Sequence, residues 1–106
     1  MTLQIQKKRR FTRFPSKQKA SYCLQERYGS WKECTIHSIS RKGVGITLKE
    51  KINVGSIIFL EISMPHEFAP LSIKGTLRWI KEKENDFIGG IEFTKALDEV
   101  QFSKLG

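Results

Sequence analysis

Alternation of apolar and polar residues with a period of two restricts the fold of this sequence more than any other feature. Five segments show it: residues 20–24, 34–36, 44–48, 73–79 and 87–93. A sixth segment, IIFLEI at residues 57–62, is a short apolar run typical of a well-buried strand. Successive side chains of a strand point to opposite faces, so these segments predict strands with a buried face. Six short strands in one domain of 106 residues predict a closed barrel or a sandwich.

Turn-forming residues separate the predicted strands. The stretches are ERYGS (26–30), NVGS (53–56), MPHEFAP (64–70) and EKEND (82–86). Their Gly, Pro, Asn and Asp content is typical of turns, and EKEND is expected to be a polar loop. Gly75, Gly89 and Gly90 lie inside strand patterns, which predicts the tight bends or bulges that small barrels need.

Only the C-terminal segment has a helical pattern. Leu97, Val100 and Leu105 fall on one side of a short helix, and Thr94 precedes them as a candidate N-cap. We therefore expect a short helix that lies with its apolar side against one mouth of a barrel.

Basic residues are concentrated at the start of the sequence. The formal net charge is +8, and seven of the nineteen Lys and Arg residues precede the first acidic residue, Glu26. This distribution predicts a basic arm at residues 1–14 and a mixed-charge β-domain at residues 15–106, and it favours anionic partners. On composition alone, the arm would be a solvated segment that binds polyanions weakly or keeps the protein in solution.

The sequence gives little support to an enzyme. His37 and His66 lie far apart, and neither has a second ligand at metal spacing. No P-loop, dinucleotide-binding fingerprint or nucleophile elbow is present. The acidic residues of the EKEND stretch are explained by a polar loop. We therefore expect a non-catalytic protein without a metal or a cofactor.

The lack of a recognisable targeting signal and the use of cysteine lead us to expect a cytoplasmic protein. No apolar run is long enough for a membrane span, and the N-terminus lacks the apolar stretch of a signal peptide. A hairpin that turns at Tyr28-Gly29 would place Cys23 and Cys34 on facing strands, where a disulfide is geometrically conceivable. Two small buried thiols are the expected state in a reducing compartment.

Two stretches have the chemistry of an anion-binding site. The first, Arg9-Arg10-Phe11-Thr12-Arg13, carries arginines four residues apart. Arginine offers forked donors that match phosphate oxygens or the O6/N7 edge of guanine. The second, SISRKG at residues 38–43, combines small hydroxyls with a glycine between the second and third predicted strands. Such a turn approaches a ligand closely and offers N–H and O–H donors.

These stretches resemble the PilZ domain, a bacterial receptor module for cyclic di-GMP. That family has an R-x-x-x-R motif near its N-terminus, matched here by Arg9 and Arg13. It has a [D/N]-x-S-x-x-G motif after the second strand, matched here by Ser40 and Gly43. The stretch GGIEF at residues 89–93 is similar to the family's last strand. Trp79 falls in a typical fifth-strand position, and we expect it to be structural.

The resemblance implies both a fold and a ligand. The fold is a six-stranded antiparallel β-barrel with a short C-terminal helix, built here from residues 15–106. The ligand is cyclic di-GMP, clamped by Arg9 and Arg13, with Arg10 as a secondary candidate. Ser38, Ser40 and Gly43 would form the opposing wall. Binding would be relayed by a conformational change to a downstream protein partner.

Ser38 keeps an alternative open. Where the family has Asp or Asn, this sequence has a serine, which is shorter and carries one hydroxyl. A degenerate PilZ-like adaptor that binds no nucleotide and acts by protein contacts is therefore the second hypothesis. A barrel that binds nucleic acid ranks last, because the cations cluster in the arm and not among aromatics on a strand face.

Overall fold

Six antiparallel strands form a closed barrel in the computed structural model, which describes residues 14–105 and their side chains from residue 18 onward. The strands are β1 (Phe14–Leu24), β2 (Lys32–Ile39), β3 (Gly43–Leu48), β4 (Ile57–Ile62), β5 (Leu71–Lys83) and β6 (Asp86–Phe93). Around the barrel their order is β1-β2-β3-β6-β5-β4, with all neighbours antiparallel. The predicted fold and its six strands are confirmed. Most of the predicted basic arm, residues 1–13, lies outside the described residues.

The period-two pattern separates the barrel interior from its outer face. In β3, Val44, Ile46 and Leu48 are buried in the core, and β4 buries every second residue from Ile58 to Ile62. Closure of the sheet leaves each described strand with two neighbours over much of its length, so few backbone groups need another partner. Side chains on the outer face are therefore available for a binding site.

The C-terminal helix, α1 (Glu99–Leu105), lies against the barrel core. Leu97 and Leu105 are buried, and Gln18 Nε2 on β1 donates a hydrogen bond to the Leu105 carbonyl at 2.6 Å. The predicted helix is confirmed, but two of its details are wrong. The N-cap is Asp98, whose carboxylate accepts the Gln101 N–H at 2.7 Å while the Gln101 side chain accepts the Asp98 N–H. Val100 is 63% exposed.

Phe102 packs against the core in place of Val100. The reason is that Asp98 caps the helix, so Leu97 lies outside it and Leu105 sets the buried face. Phe102, three residues before Leu105, shares that face, whereas Val100 does not.

The EKEND stretch is shorter as a loop than predicted. β5 continues to Lys83 and β6 begins at Asp86, so the connection is a two-residue turn at Glu84-Asn85. Glu84 takes the left-handed conformation, with φ of 56°. The predicted turns at NVGS and MPHEFAP are confirmed, since β4 begins after the first and β5 begins after the second.

Both cysteines are free and buried. Cys34 faces the core opposite Ala20, whereas Cys23 pairs in register with Phe59, so the two thiols are not cross-strand neighbours. Burial raises the pKa of the Cys34 thiol to about 12. The prediction that Cys23 and Cys34 are small buried thiols is confirmed.

Metal and membrane sites have no support in the described residues. Between residues 14 and 105 no three His, Cys, Asp or Glu side chains lie close enough together to hold a metal ion. Over the same residues, none of the helical segments has the length and apolarity that a membrane crossing requires.

Candidate functional site

The loop between β2 and β3 is shaped by Ser40. This side chain is only 3% exposed, and its Oγ accepts hydrogen bonds from the N–H groups of Lys42 at 3.2 Å and Gly43 at 3.1 Å. The Ser40 N–H in turn donates to the Gly43 carbonyl at 2.9 Å. The serine of the predicted motif therefore fixes a tight turn whose backbone faces the end of the barrel.

Three hydrogen bonds anchor this loop to the end of β6 and to the segment that precedes α1. Arg41 Nε donates to the Leu97 carbonyl at 2.8 Å, and the Leu97 N–H donates to the Arg41 carbonyl at 2.7 Å. The Phe93 N–H donates to the Lys42 carbonyl at 2.8 Å. The Arg41 guanidinium is thus held toward the segment that precedes α1, and the loop is tied to that segment.

A cross-strand row runs from the start of β1 to the middle of β5. In register, Pro15 pairs with Ser38, Ser38 with Gly45, Gly45 with Gly90, and Gly90 with Trp79. Neighbouring strands are about 4.8 Å apart, so Ser38 and Trp79 are separated by about 14 Å along this row. The row connects the predicted Ser38 position to an aromatic side chain that lies 41 residues later in sequence.

Two glycines form the floor between these side chains. A Cβ added at Gly45 would lie 2.6 Å from Ser38 Oγ and 2.7 Å from His37 Cε1. A Cβ added at Gly90 would lie 2.1 Å from Trp79 Nε1. Because both positions lack a side chain, Ser38 and the Trp79 indole can lie directly against the sheet backbone.

Two β-bulges direct consecutive side chains to the same face. The register shifts between Ile36 and Ser38 on β2 and between Leu77 and Trp79 on β5. The extra residue in β2 is His37, and both it and Ser38 contact the Gly45 position. The extra residue in β5 is Arg78, so Arg78 and Trp79 both line the outer face beside Gly90.

A cavity of about 240 Å³ lies between the Ser40 turn and the Trp79 side chain. Its walls include the cations Lys42 and Arg78, and Arg78 Nε donates to Glu92 Oε1 at 2.7 Å. Trp79 is 43% exposed at the same cavity. Cations, a flat aromatic face and backbone donors together suit a ligand that carries phosphate and a planar ring.

A larger depression, of about 560 Å³, lies on another part of the outer surface. It is lined by side chains of both charges, including Lys19, Glu33, Glu61 and Asp86, and by none of the predicted site residues. A large volume does not by itself indicate a ligand. We therefore place the candidate site at the 240 Å³ cavity between the Ser40 turn and Trp79.

The structure brings together the part of the predicted site that it describes. Ser38 is the penultimate residue of β2, Ser40 shapes the turn and Gly43 begins β3. Gly43 must be a glycine, because a Cβ there would lie 2.3 Å from the Ile91 carbonyl oxygen. The predicted clamp residues Arg9, Arg10 and Arg13 lie outside the described residues.

The first described residue still fixes where the arm joins the barrel. Phe14, which follows Arg13 in sequence, pairs in register with Ile39, next to the Ser40 turn. Arg78 lines the cavity but was not among the predicted site residues, and Trp79, which we expected to be structural, lines it too. Gly90, the second glycine of GGIEF, faces Trp79 across the strands, but sequence spacing alone does not give that register.

Comparison with known proteins identifies relatives of this chain. The family model for the PilZ domain matches residues 7–106. The structure of the Bacillus subtilis inhibitor of motility, MotI/DgrA, is similar with a TM-score of 0.71 and 16% identity, over 92% of this chain and 47% of that one. The crystal structure of the Borreliella burgdorferi PlzA protein in complex with c-di-GMP is similar with a TM-score of 0.62 and 18% identity, over 96% of this chain and 42% of that one.

This chain therefore spans slightly less than half the length of these two structural neighbours. At such identities the structural likeness shows the fold. No curated protein matches the sequence.

Proposed function

The chain belongs to the PilZ domain family, and from that premise we propose that it binds cyclic di-GMP and relays binding to a protein partner. PilZ domains are non-catalytic receptors for this ligand, so the prediction that the chain is not an enzyme is confirmed. One structural neighbour was solved with c-di-GMP bound, which supports the choice of ligand.

The register of β1 is the observation that carries this proposal. Phe14 pairs with Ile39 and Pro15 with Ser38, so the chain enters the barrel beside the serine–glycine turn. Arg9 and Arg13 precede Phe14 by five residues and one residue. In our proposal they clamp phosphate and guanine, Arg10 assists, and Ser38, Ser40 and Gly43 supply the opposing wall. In this proposal the two family motifs meet at one end of the barrel.

Ser38 sets the strength of the proposed site. A carboxylate at this position would accept a charge-assisted hydrogen bond worth roughly 1.5–3 kcal/mol, against about 1 kcal/mol for a neutral hydroxyl. The Ser38 Oγ lies over the Gly45 backbone, on the outer face that the proposal assigns to the ligand. We therefore expect binding that is weaker than a site with Asp would give.

Calorimetric titration with cyclic di-GMP tests the proposal. A site that reads guanine edges as well as phosphate should bind cyclic di-GMP far better than cyclic di-AMP or GTP. Equal affinity for the three ligands, with a steep loss of binding on adding salt, would show that the arm binds anions only non-specifically.

Variants of the motif residues sharpen the same titration. Arg9→Ala and Arg13→Ala should each remove most of the binding, because each deletes a charge-assisted contact. Ser38→Asp should tighten binding by up to about tenfold, which corresponds to about 1.4 kcal/mol. Arg27→Ala is a matched control, since Arg27 lies in the β1–β2 connection and pairs with Glu50. Weaker binding by Ser38→Asp would refute our account of this position.

The anchored loop supplies a route for the proposed relay. Arg41 is hydrogen-bonded to Leu97, and Lys42 to Phe93. A ligand that shifts the Ser40 turn would therefore also displace the segment before α1. Amide exchange in residues 97–105 should therefore change when cyclic di-GMP binds. Unchanged exchange there at saturating ligand would place the relay elsewhere.

A degenerate adaptor is the second candidate function, and two observations favour it. One is Ser38 in place of Asp or Asn. The other is an exposed aromatic group in which Tyr28 packs edge-to-face on Trp31 and Phe59, with centroids 6.1 and 5.3 Å apart. Tyr28 is 70% exposed, and such residues are frequent anchors of protein interfaces. Absence of cyclic di-GMP binding in both the wild type and Ser38→Asp would make this function the leading one.

A further inference from the structure

We propose that an aromatic patch on the outer face of the barrel, formed by Tyr28, Trp31 and Phe59, docks an acidic segment of a protein partner. An apolar side chain of that segment fills the patch, and an Asp or Glu beside it pairs with Lys74. The inference names the chemistry of the partner that both candidate functions require. It does not depend on cyclic di-GMP, and none of these residues lines the 240 Å³ cavity.

The patch forms because the β1–β2 connection folds back over the outer face of the barrel. Tyr22 and Leu24 lie in the core, so Cys23 between them points outward, yet it has no exposed surface. Its thiol lies against the connection and donates to the Arg27 carbonyl at 3.9 Å. Cys23 also pairs in register with Phe59, so the two side chains are neighbours on this face. The connection therefore covers an apolar spot on a face that is ordinarily polar.

Tyr28 is too exposed to be only a cover for that spot. Its ring contacts the rings of Trp31 and Phe59, which are half-buried, but Tyr28 itself is 70% exposed. A side chain whose only role was to seal Cys23 and Phe59 would bury most of its own surface. Tyrosine and tryptophan offer a large rigid contact area at a small cost in side-chain entropy, and they are frequent anchors of protein interfaces.

Cations border the patch. Lys74 Nζ lies 6.0 Å from the centroid of the Phe59 ring, and Lys74 forms no ion pair within the part of the chain whose side chains are described. Arg27 and Lys32 flank the aromatic residues of the connection in sequence, and both pair with the single carboxylate of Glu50. Positive charge at the border is therefore only partly neutralised.

The acidic side chains near the patch line other depressions. Glu33 and Glu61 line the 560 Å³ depression, and Glu26 lines a small pocket beside Ser56 and Ile57. Exposed rings thus stand beside cations that lack a full set of partners. Complementary charge across an interface favours an acidic partner segment over a basic one.

Selection from a random peptide library displayed on phage tests the patch, with the whole chain immobilised and no nucleotide present. Enriched peptides should carry an aromatic or aliphatic residue flanked by Asp or Glu. Tyr28→Ala should weaken their binding by at least about tenfold, as expected for an interface anchor. Phe68→Ala is the matched control, because Phe68 is fully exposed and belongs to neither of these ring pairs. It should bind as the wild type does.

A charge swap tests Lys74 and separates the patch from the basic arm, which also attracts acidic peptides. Lys74→Glu should weaken the enriched peptides by about threefold to tenfold. Replacing the acidic residue of the peptide with lysine should restore binding to Lys74→Glu and to no other variant. Lys81→Glu is the matched control, since it makes the same charge change on β5 but pairs in register with Ile88 and not with Phe59.

Three results would overturn the inference. They are a selection that enriches no acidic sequence, peptides that bind Tyr28→Ala and Lys74→Glu as well as the wild type, and a dimer of the chain that Tyr28→Ala dissociates. The last would make a second copy the occupant of the patch. Thermal melts of each variant separate lost binding from lost fold, and if Tyr28→Ala does not fold, the Lys74 charge swap decides. Calorimetry with cyclic di-GMP decides the receptor function separately, because the selection uses no nucleotide.

Discussion

Replacing Tyr22 with phenylalanine should destabilise the barrel by an amount that depends on pH. Tyr22 is buried in the core, and its hydroxyl donates a hydrogen bond to Glu50 Oε2 in the β3–β4 connection. The Glu50 carboxylate also pairs with Lys32 at 3.2 Å and Arg27 at 3.5 Å. This network ties the β1–β2 connection to the end of β3 through one carboxylate.

The expected loss follows from the chemistry of the bond. A hydrogen bond to a charged group contributes about 1.5–3 kcal/mol. Glu50 keeps its two cations, and its side chain is 27% exposed, so water replaces part of the lost bond. We expect Tyr22→Phe to lower the free energy of unfolding by about 1.5 kcal/mol, or the Tm by roughly 6–12 °C in a domain of this size.

The pH dependence gives a second, independent readout. The Tyr22 hydrogen bond, with Lys32 and Arg27, holds the pKa of Glu50 below its ordinary value. Its contribution to stability is therefore present above the unfolded-state pKa of about 4.3 and is lost as the pH falls below it. Desolvation, and then the bond to Glu50, raises the pKa of Tyr22 well above its ordinary value of about 10. The contribution of Tyr22 to the free energy of unfolding is therefore present below about pH 10 and is lost as the pH rises further.

Urea unfolding of the wild type and Tyr22→Phe across this pH range is the assay. The difference between them should be largest from about pH 5 to pH 9 and should shrink on both sides. Tyr28→Phe is the matched control, because its ring is 70% exposed and its hydroxyl has access to water. Equal midpoints at pH 7, or a difference that persists undiminished at pH 3, would refute this reasoning.

Three further predictions concern other parts of the fold. The buried Cys34, with its pKa of about 12, should resist alkylation at pH 8 in the native state and react in urea; fast native labelling would contradict its burial. Asp98→Ala should lose about 1 kcal/mol of helix stability, seen as faster amide exchange in α1, whereas exchange like that of the wild type would show that the cap contributes nothing. Gly43→Ala should destabilise the domain and abolish ligand binding, because its Cβ would meet the Ile91 carbonyl oxygen at 2.3 Å; a normal melting temperature would show that the β3–β6 pair relaxes freely.

The strands were predictable from sequence because the alternation of buried and exposed residues can be seen within each short segment. In β3 and β4 each inward residue is apolar and its neighbours are glycine, polar or half-buried, so the pattern matches the burial directly. The helix was less predictable, since its face is set by packing on the barrel. Val100 and Phe102 are both apolar, and only the start of the helix at Asp98 decides which of them reaches the core.

The site was predictable only in part, for a related reason. The Ser40–Gly43 turn is a local motif, and its hydrogen bonds are made within four residues. The row from Ser38 to Trp79 depends on the register of four strands and on the bulges in β2 and β5. Register between distant strands is not written in the spacing of residues along one of them, so Trp79 could not be placed opposite Ser38 from sequence.

The alternation that builds the barrel also separates its stability from its proposed binding site. Inward residues such as Ile46 and Ile91 form the core, while the outward positions beside them carry Gly45, Gly90 and the cavity walls. Changes to the exposed cavity side chains Lys42 and Arg78 remove no core contact, so they should alter ligand affinity with little effect on unfolding. Changes at the two floor glycines have no such freedom, because a Cβ at either position collides with a wall residue. A variant series that divides along this line would show that the exposed wall side chains set ligand affinity, while the floor glycines and the core set stability.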